Sequence, residues 1–239
     1  HEVLLFEKEK RLGGNLHLAA APPSKKEIGL FTDYLTGRAY DSGVRVEMGV
    51  SLGRDDILGI APDALILALG GIPMLPAFPG IDQDGVFTAE DILLERVEAG
   101  KRVVVIGGGS TGCDTAHYLL HRGHSVVIIE LMPHIGRGIE AITRRWMYYQ
   151  FKEAGLDIRT NHTIIRLAES KAFFTDEKGE EGFIEGDAFV LATGYRPRDD
   201  FSFCLERDFP VTTHRIGDCL QPGTIRDAVT QGAHLAAEI

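Results

Sequence analysis

An α/β protein of two Rossmann-like lobes, each built on a parallel sheet, is what the 239-residue sequence predicts. Three observations carry this: short branched-apolar runs alternating with helical stretches, an internal repeat, and one glycine-rich turn between a strand and a helix. "HEVLLFE" at His1–Glu7 returns as "HSVVIIE" at His124–Glu130, and "DALILALGGIP" at Asp63–Pro73 returns as "DAFVLATGYRP" at Asp187–Pro197, in nearly constant register. More loosely, "RLGG" at Arg11–Gly14 lies against "HIGR" at His134–Arg137. Each half therefore has an apolar strand ending in an acid and a closing strand ending in Ala-x-Gly.

The elements follow in order. After the strand ending at Glu7 and the pair Gly13-Gly14, Pro22 and Pro23 end any preceding helix, and Ser24 caps a helix through about Thr36. Val44–Val50 alternates as a half-buried strand, Asp63–Leu69 closes the first half, and "GGIPMLPAFPGIDQDG" reads as a linker. From Val86 onward, helices are expected at Ala89–Ala99, Cys113–Arg122 and Ile139–Ala154. Strands are expected at Arg102–Ile106, Ser125–Glu130, Asp157–Thr160, Ile164–Leu167, Ala172–Thr175 and Ala188–Ala192. After Pro197 come an irregular stretch, a strand ending in Gly217-Asp218, and a last helix starting near Thr224. The second half is complete at Gly194, so the closing segment belongs with the first lobe. The expected division is 1–76, an inserted lobe at 77–200, and a return segment at 201–239.

"KRVVVIGGGSTGCDTAHYLLHRG" at Lys101–Gly123 has no counterpart in the first half. It is a buried strand, a G-x-G-x-x-G turn and a helix. Gly107 permits the tight turn, Gly109 lets backbone approach a pyrophosphate, and Gly112 lets helix and strand pack closely. The helix N-terminus offers free N–H groups to phosphate. Glu130 ends the next strand, about 20 residues on, where an acid accepts hydrogen bonds from ribose hydroxyls. By the repeat, Glu7 is the ribose acid of the first lobe, whose own first strand and glycine turn would precede His1.

Composition narrows the function classes. A formal net charge of −10 argues against binding to nucleic acid or an anionic membrane, and the 44% hydrophobic content suits a buried core. No membrane-length apolar run or secretory leader is read in the sequence, so a cytoplasmic protein is expected. Cys113, Cys204 and Cys219 form no CxxC pair, which leaves no zinc site or disulfide framework to infer. Cys113 is read as packing against the sheet. His117 and His121 have metal-ligand spacing but no third ligand, so a solvated helix face is preferred. Arg144 and Arg145 are placed either to contact phosphate or to lie on the surface.

"RLGGNLHLAAAPPSKKEI", "KRVVVIGGGSTGCDTA" and "RIGDCLQPGTIRDAVTQGAHLAAEI" resemble the C-terminal half of the 2,4-dienoyl-CoA reductase and Old Yellow Enzyme-like NADH:flavin oxidoreductases. These are two-dinucleotide-binding-domain flavoproteins in which an NAD(P)H lobe interrupts an FAD lobe. The resemblance implies Glu7 at the adenosine ribose of FAD, Gly13, Gly14 and Asn15 near its pyrophosphate, and Val50 beside the adenine. It also implies Gly70 and Gly217 at the flavin site, Asp218 at the ribityl chain, and Ile225–Ala228 facing the flavin ring. Asp218 also has a rationale of its own: a carboxylate at a strand end beside a glycine suits hydroxyl recognition, with a strand-end cap as the alternative.

For NAD(H) the resemblance implies Gly107, Gly109, Ser110, Thr111, Gly112, Glu130 and Gly194. Asp114 stands where a glutamate usually lies beside the nicotinamide, and Leu69 stands where the pattern usually has threonine. Glu130 favours NADH over NADPH. The implied activity is hydride transfer from NADH to FAD with no catalytic side chain, across a cleft between the lobes. Electrons would feed an N-terminal barrel domain with FMN and an iron–sulfur cluster, none of which is in these residues. Two alternatives are an ADP-holding domain, as in the related trimethylamine dehydrogenase, and a flavin-dependent disulfide reductase. The intact "GGGSTG" argues against the first, and the dispersed cysteines argue against the second.

Overall fold

The computed structural model describes residues 1–205 and 209–239. Strand β1 (Leu4–Glu7) leads through α1 (Leu16–Ala20) and a 3-10 turn at Pro23–Lys25 into α2 (Lys26–Asp41), β2 (Arg45–Met48), α3 (Arg54–Ile60), β3 (Ala64–Leu67) and β4 (Gly71–Pro73). Next come β5 (Val86–Thr88), α4 (Ala89–Leu93), β6 (Arg102–Ile106), α5 (Ser110–His121), β7 (Ser125–Ile129) and α6 (Ala141–Glu153). Strands β8 (Asp157–Arg159), β9 (Thr163–Ala168), β10 (Lys171–Thr175), β11 (Glu181–Glu185), β12 (Ala188–Leu191) and β13 (Tyr195–Pro197) follow. A 3-10 turn at Ser202–Leu205, β14 (Thr212–Arg215), a 3-10 turn at Gly217–Cys219 and α7 (Ile225–Glu238) close the chain. The irregular stretch expected after Pro197 includes residues 206–208, which lie outside the described residues.

Two units form. Unit 1 comprises His1–Asn15, Leu30–Ile72 and Tyr195–Ile239, and unit 2 comprises Leu16–Gly29 and Pro73–Gly194.

Unit 2 is a three-layer structure around a parallel sheet ordered β5-β12-β6-β7-β8. A sheet covered on both faces needs unbroken apolar strands, and "VVVI" of β6 is buried at every position. Successive side chains point to opposite faces. Val103 and Val105 join Cys113, Ala116, Leu119, Met147 and Phe151 on the helical face, while Val104 and Ile106 join Leu167, Ala172, Phe174 and Ile184 of an antiparallel β11-β10-β9 sheet. Gly123, at φ 83°, ends the segment after α5 in the left-handed region that glycine tolerates.

Unit 1 holds the parallel pairs β1 with β2 and β3 with β14, and β4 pairs with β13. The pairing of β14 with β3 brings the end of the chain beside a strand from the first half. The core here is small, built on Ile57, Leu67, Cys204, Phe209 and Cys219.

Several elements differ from expectation. Helix α4 stops at Leu93 rather than near Ala99: Glu95 takes a left-handed φ of 55°, and its carboxylate accepts hydrogen bonds from Tyr118 Oη and from Arg122. A tertiary contact outweighs helix propensity there. Helix α2 is not capped by Ser24, which lies against His117, and it runs on past Thr36 to Asp41. Helix α3 and strand β11 were not expected. The latter depends on Gly182, where a Cβ would lie 2.7 Å from Phe174 Cζ.

Phe151 is 1% exposed between the sheet and its helical layer. Phe151→Ala is expected to lower the unfolding free energy by about 3–5 kcal/mol in urea titration. A loss below about 1 kcal/mol would show that this layer is not close-packed.

Candidate dinucleotide-binding site

Strand β6, the turn Gly107–Gly109 and helix α5 set the geometry of unit 2, and the three glycines differ in kind. Gly107 has φ 104°, and a Cβ there would lie 2.4 Å from Ala192 O. At Gly112 a Cβ would fall 1.9 Å from Gly107 O, so only glycine lets α5 press onto the strand end. Gly109 is the helix N-cap at φ −67°, and nothing lies within 4 Å of a Cβ built on it. Two glycines therefore serve backbone packing and the third faces open space, as close approach of a pyrophosphate requires. Ser110 and Thr111 form the first turn of α5, which carries no acid. Gly194, at φ 103°, follows β12 and likewise has open space before it.

Glu130 directly follows β7. Its Oε2 accepts from Gly108 N at 2.5 Å and its Oε1 from Met132 N at 2.7 Å. These bonds hold the carboxylate beside the glycine turn, while each oxygen retains a lone pair for an outside donor. Gly108 was not singled out in the sequence, although "GGG" displays it. A Cβ there would meet Ile135 Cγ2 at 2.5 Å.

Asp114 is 8% exposed in α5. Its Oδ2 accepts from Lys25 Nζ at 2.6 Å, while its Oδ1 is buried without a hydrogen-bond partner among the described residues. Burial raises its pKa above the usual carboxylate range, against the pull of Lys25. Lys25 is the residue that sequence reasoning missed, because nothing local links it to Asp114. His117 is half-buried rather than on a solvated face: it touches Ser24 Oγ at 3.4 Å and Trp146 edge-on, and burial lowers its pKa. The Cys113 thiol is buried with its pKa pushed up to about 12 by burial, then by the Asp114 charge. Such a thiol is a packing group rather than a nucleophile.

In unit 1, Glu7 and Val50 are brought together: Val50 N donates to Glu7 O at 3.0 Å, and Glu9 N donates to Glu7 Oε1 at 2.9 Å. Gly13 and Gly14 take φ 117° and 47°, and Gly14 and Asn15 are exposed. Gly70 and Asp218 follow the parallel strands β3 and β14, which end side by side, with Ile216 N donating to Leu67 O at 3.0 Å. A Cβ on Gly71 would lie 3.5 Å from that of Asp218. Asp218 Oδ1 accepts from Gly223 N at 3.0 Å, and a Cβ on Gly217 would lie 3.8 Å from that of Ala228. Thus Gly217, Asp218 and the first turn of α7, Ile225–Ala228, form one cluster. Thr224 caps that helix in a reciprocal pairing with Asp227.

Among the described residues, no helix is long and apolar enough to cross a membrane, and no group of three or more metal-ligating side chains is found. The chain is 36% identical over its whole length to an NADH oxidase of Thermoanaerobacter brockii, 37% of which it spans. It is 29% identical to a cinnamate reductase of Clostridium sporogenes, spanning 36% of it. The structure of a 2-naphthoyl-CoA reductase superposes over the full chain with a TM-score of 0.95 at 26% identity, this chain covering 36% of that one. Residues 42–218, which include the glycine turn, Glu130 and Asp218, match the pyridine nucleotide-disulphide oxidoreductase model, and the chain belongs to that family.

Proposed function

We propose that the chain is the NADH-oxidising flavoprotein module of a larger ene-reductase-like enzyme. The observation that carries this is the division of labour in the unit 2 turn, where Gly107 and Gly112 are filled by backbone and Gly109 is open. The relatives named NADH oxidase and cinnamate reductase, each much longer than this chain, support the setting. In this reading a bound nicotinamide dinucleotide supplies a hydride and a bound flavin accepts it.

The residues of unit 2 fit the nicotinamide dinucleotide. The N–H groups of Ser110 and Thr111 face phosphate at the start of α5, Gly109 admits it, and Gly194 borders the same strand ends. Glu130, ordered by two backbone N–H groups, accepts ribose hydroxyls and repels a 2′-phosphate. Asp114 Oδ1, buried without a partner, suits an amide donor such as the nicotinamide carboxamide. Lys25 balances the Asp114 charge and engages Oδ2, so Oδ1 is the oxygen left without a donor among the described residues.

The residues of unit 1 fit the hydroxyl-bearing parts of FAD. Glu7 takes the adenosine ribose, with Val50 beside the adenine and Gly13, Gly14 and Asn15 toward the pyrophosphate. Asp218, framed by Gly70, Gly71 and Gly217, takes the ribityl hydroxyls. Firm retention also requires a strand and glycine turn beside β1, as β6 and its turn stand beside β7 in unit 2. From the flavin, electrons would pass to the barrel domain of the full enzyme, whose own residues select the final acceptor.

Gly112→Ala is expected to destabilise the fold by about 3 kcal/mol through overpacking. Gly109→Ala is expected to change stability by less than about 0.5 kcal/mol while weakening NADH binding about tenfold or more. Denaturation and calorimetry on the two variants decide the point, and equal effects on both properties would refute the division. NADH should bind more tightly than NADPH, and Glu130→Ala should narrow the gap; tighter NADPH binding by the unaltered chain would overturn the cofactor assignment. Purified alone, the chain should carry well under one FAD per molecule by its visible absorption. With FAD added, anaerobic NADH should bleach the flavin; binding of ADP without bleaching would favour a nucleotide-holding role.

A further inference from the structure

We propose that Arg137 is a pyrophosphate-binding residue of the unit 2 glycine turn, an inference that rests on the dinucleotide reading of that turn. The segment after Glu130 folds back onto the turn. Gly136 N donates to Gly108 O at 2.6 Å, and Arg137 forms an isolated parallel bridge with Gly109. Ile135, 1% exposed, is wedged against Gly108 and anchors the loop from below. Arg144 of α6 props it from the side, since a Cβ on Gly136 would lie 2.9 Å from Arg144 Cδ. A Cβ on Gly138 would lie 3.9 Å from Ser110 Oγ, so the loop also reaches the first residue of α5.

The backbone of Arg137 is thus fixed beside Gly109, which alone of the four glycines Gly107, Gly108, Gly109 and Gly112 faces open space. Arg137 is exposed, and among the described residues its guanidinium enters no ion pair or side-chain hydrogen bond. The acids nearest in sequence are already engaged. Glu130 accepts from Gly108 N and Met132 N, and Glu140 caps α6 by accepting from Ile142 N at 2.9 Å and Thr143 N at 3.1 Å. The first turn of α5 holds no acid. A guanidinium with no internal partner, anchored beside a helix N-terminus, presents paired N–H donors matched to two phosphate oxygens. The α5 N–H groups and Arg137 would then hold the pyrophosphate from two sides.

The test is calorimetric titration of the 239-residue chain with ADP-ribose, which carries the pyrophosphate, and with adenosine, which does not. Lys178→Ala, a charge removed from the exposed turn between β10 and β11, is the control. Arg137→Ala is expected to weaken ADP-ribose about tenfold and Arg137→Lys by less, with adenosine unaffected and Lys178→Ala binding like the unaltered chain. Added salt should weaken the unaltered chain more than Arg137→Ala, because the contact is ionic. Unchanged ADP-ribose binding by Arg137→Ala would overturn the proposal. So would an equal loss for adenosine, which would mean a disturbed loop. If the unaltered chain bound no ADP-ribose, the dinucleotide reading itself would fail and Arg137 with it, which separates the two failures.

Discussion

Backbone packed directly on backbone, Gly112 against the carbonyl of Gly107, is the constraint around which unit 2 is arranged. It presses the first turn of α5 onto the end of β6, so the helix N–H groups emerge where the strand stops. Gly107 N then donates to Ile129 O at 2.8 Å and Gly108 N to Glu130 Oε2, which ties the turn to the end of β7. The acid at the end of β7 is thereby held by the backbone of the glycine turn itself. In the proposed dinucleotide reading, ribose recognition and pyrophosphate binding would both depend on that one close contact.

The internal repeat shows how much of burial belongs to neighbours rather than to sequence. Val3 and Val126 occupy matching positions, yet Val3 is 48% exposed and Val126 only 4%. Strand β7 lies between β6 and β8 with helices above it, whereas β1 has β2 as its one partner among the described residues. The same contrast reaches the acids. Both Glu7 and Glu130 accept the N–H two residues on, at 2.9 and 2.7 Å, but Glu130 has a second bond to its glycine turn. Helix α7 repeats the theme, with Leu235 its only buried residue and Val229 52% exposed.

Legibility in the sequence followed the range of the interaction. The glycine spacing, the strand before it and Glu130 are local, and their pattern dictates one geometry wherever it occurs. Strands β6, β7 and β12 were readable because sheets covered on both faces demand unbroken branched apolar runs. Strand β11 was not readable, because its "EGFIE" depends on Gly182 accommodating Phe174 from a neighbouring strand. Lys25 and Asp114 were invisible as a pair for the same reason: 89 residues separate them, and no periodicity joins them. Helix α4 illustrates the opposite error, since its helical sequence continues but Glu95 is recruited by Tyr118 and Arg122.

Asp114 gives the strongest physical argument that unit 2 is a site and not only a scaffold. Its raised pKa means that burial costs more than the ion pair with Lys25 returns. The sign is clear: the folded state favours the protonated form, so the stabilising contribution is complete below the unfolded carboxylate pKa and is lost as pH rises through the raised value. In its ionised form the group is therefore a net burden to the fold, and its Oδ1 adds the cost of an acceptor without a donor among the described residues. An apolar residue of similar volume at position 114 would relieve both costs. A group that burdens the fold one turn of helix from an open glycine fits the ligand role proposed for Asp114. Lys25 holds that carboxylate at one oxygen, and among the described residues the other has no donor.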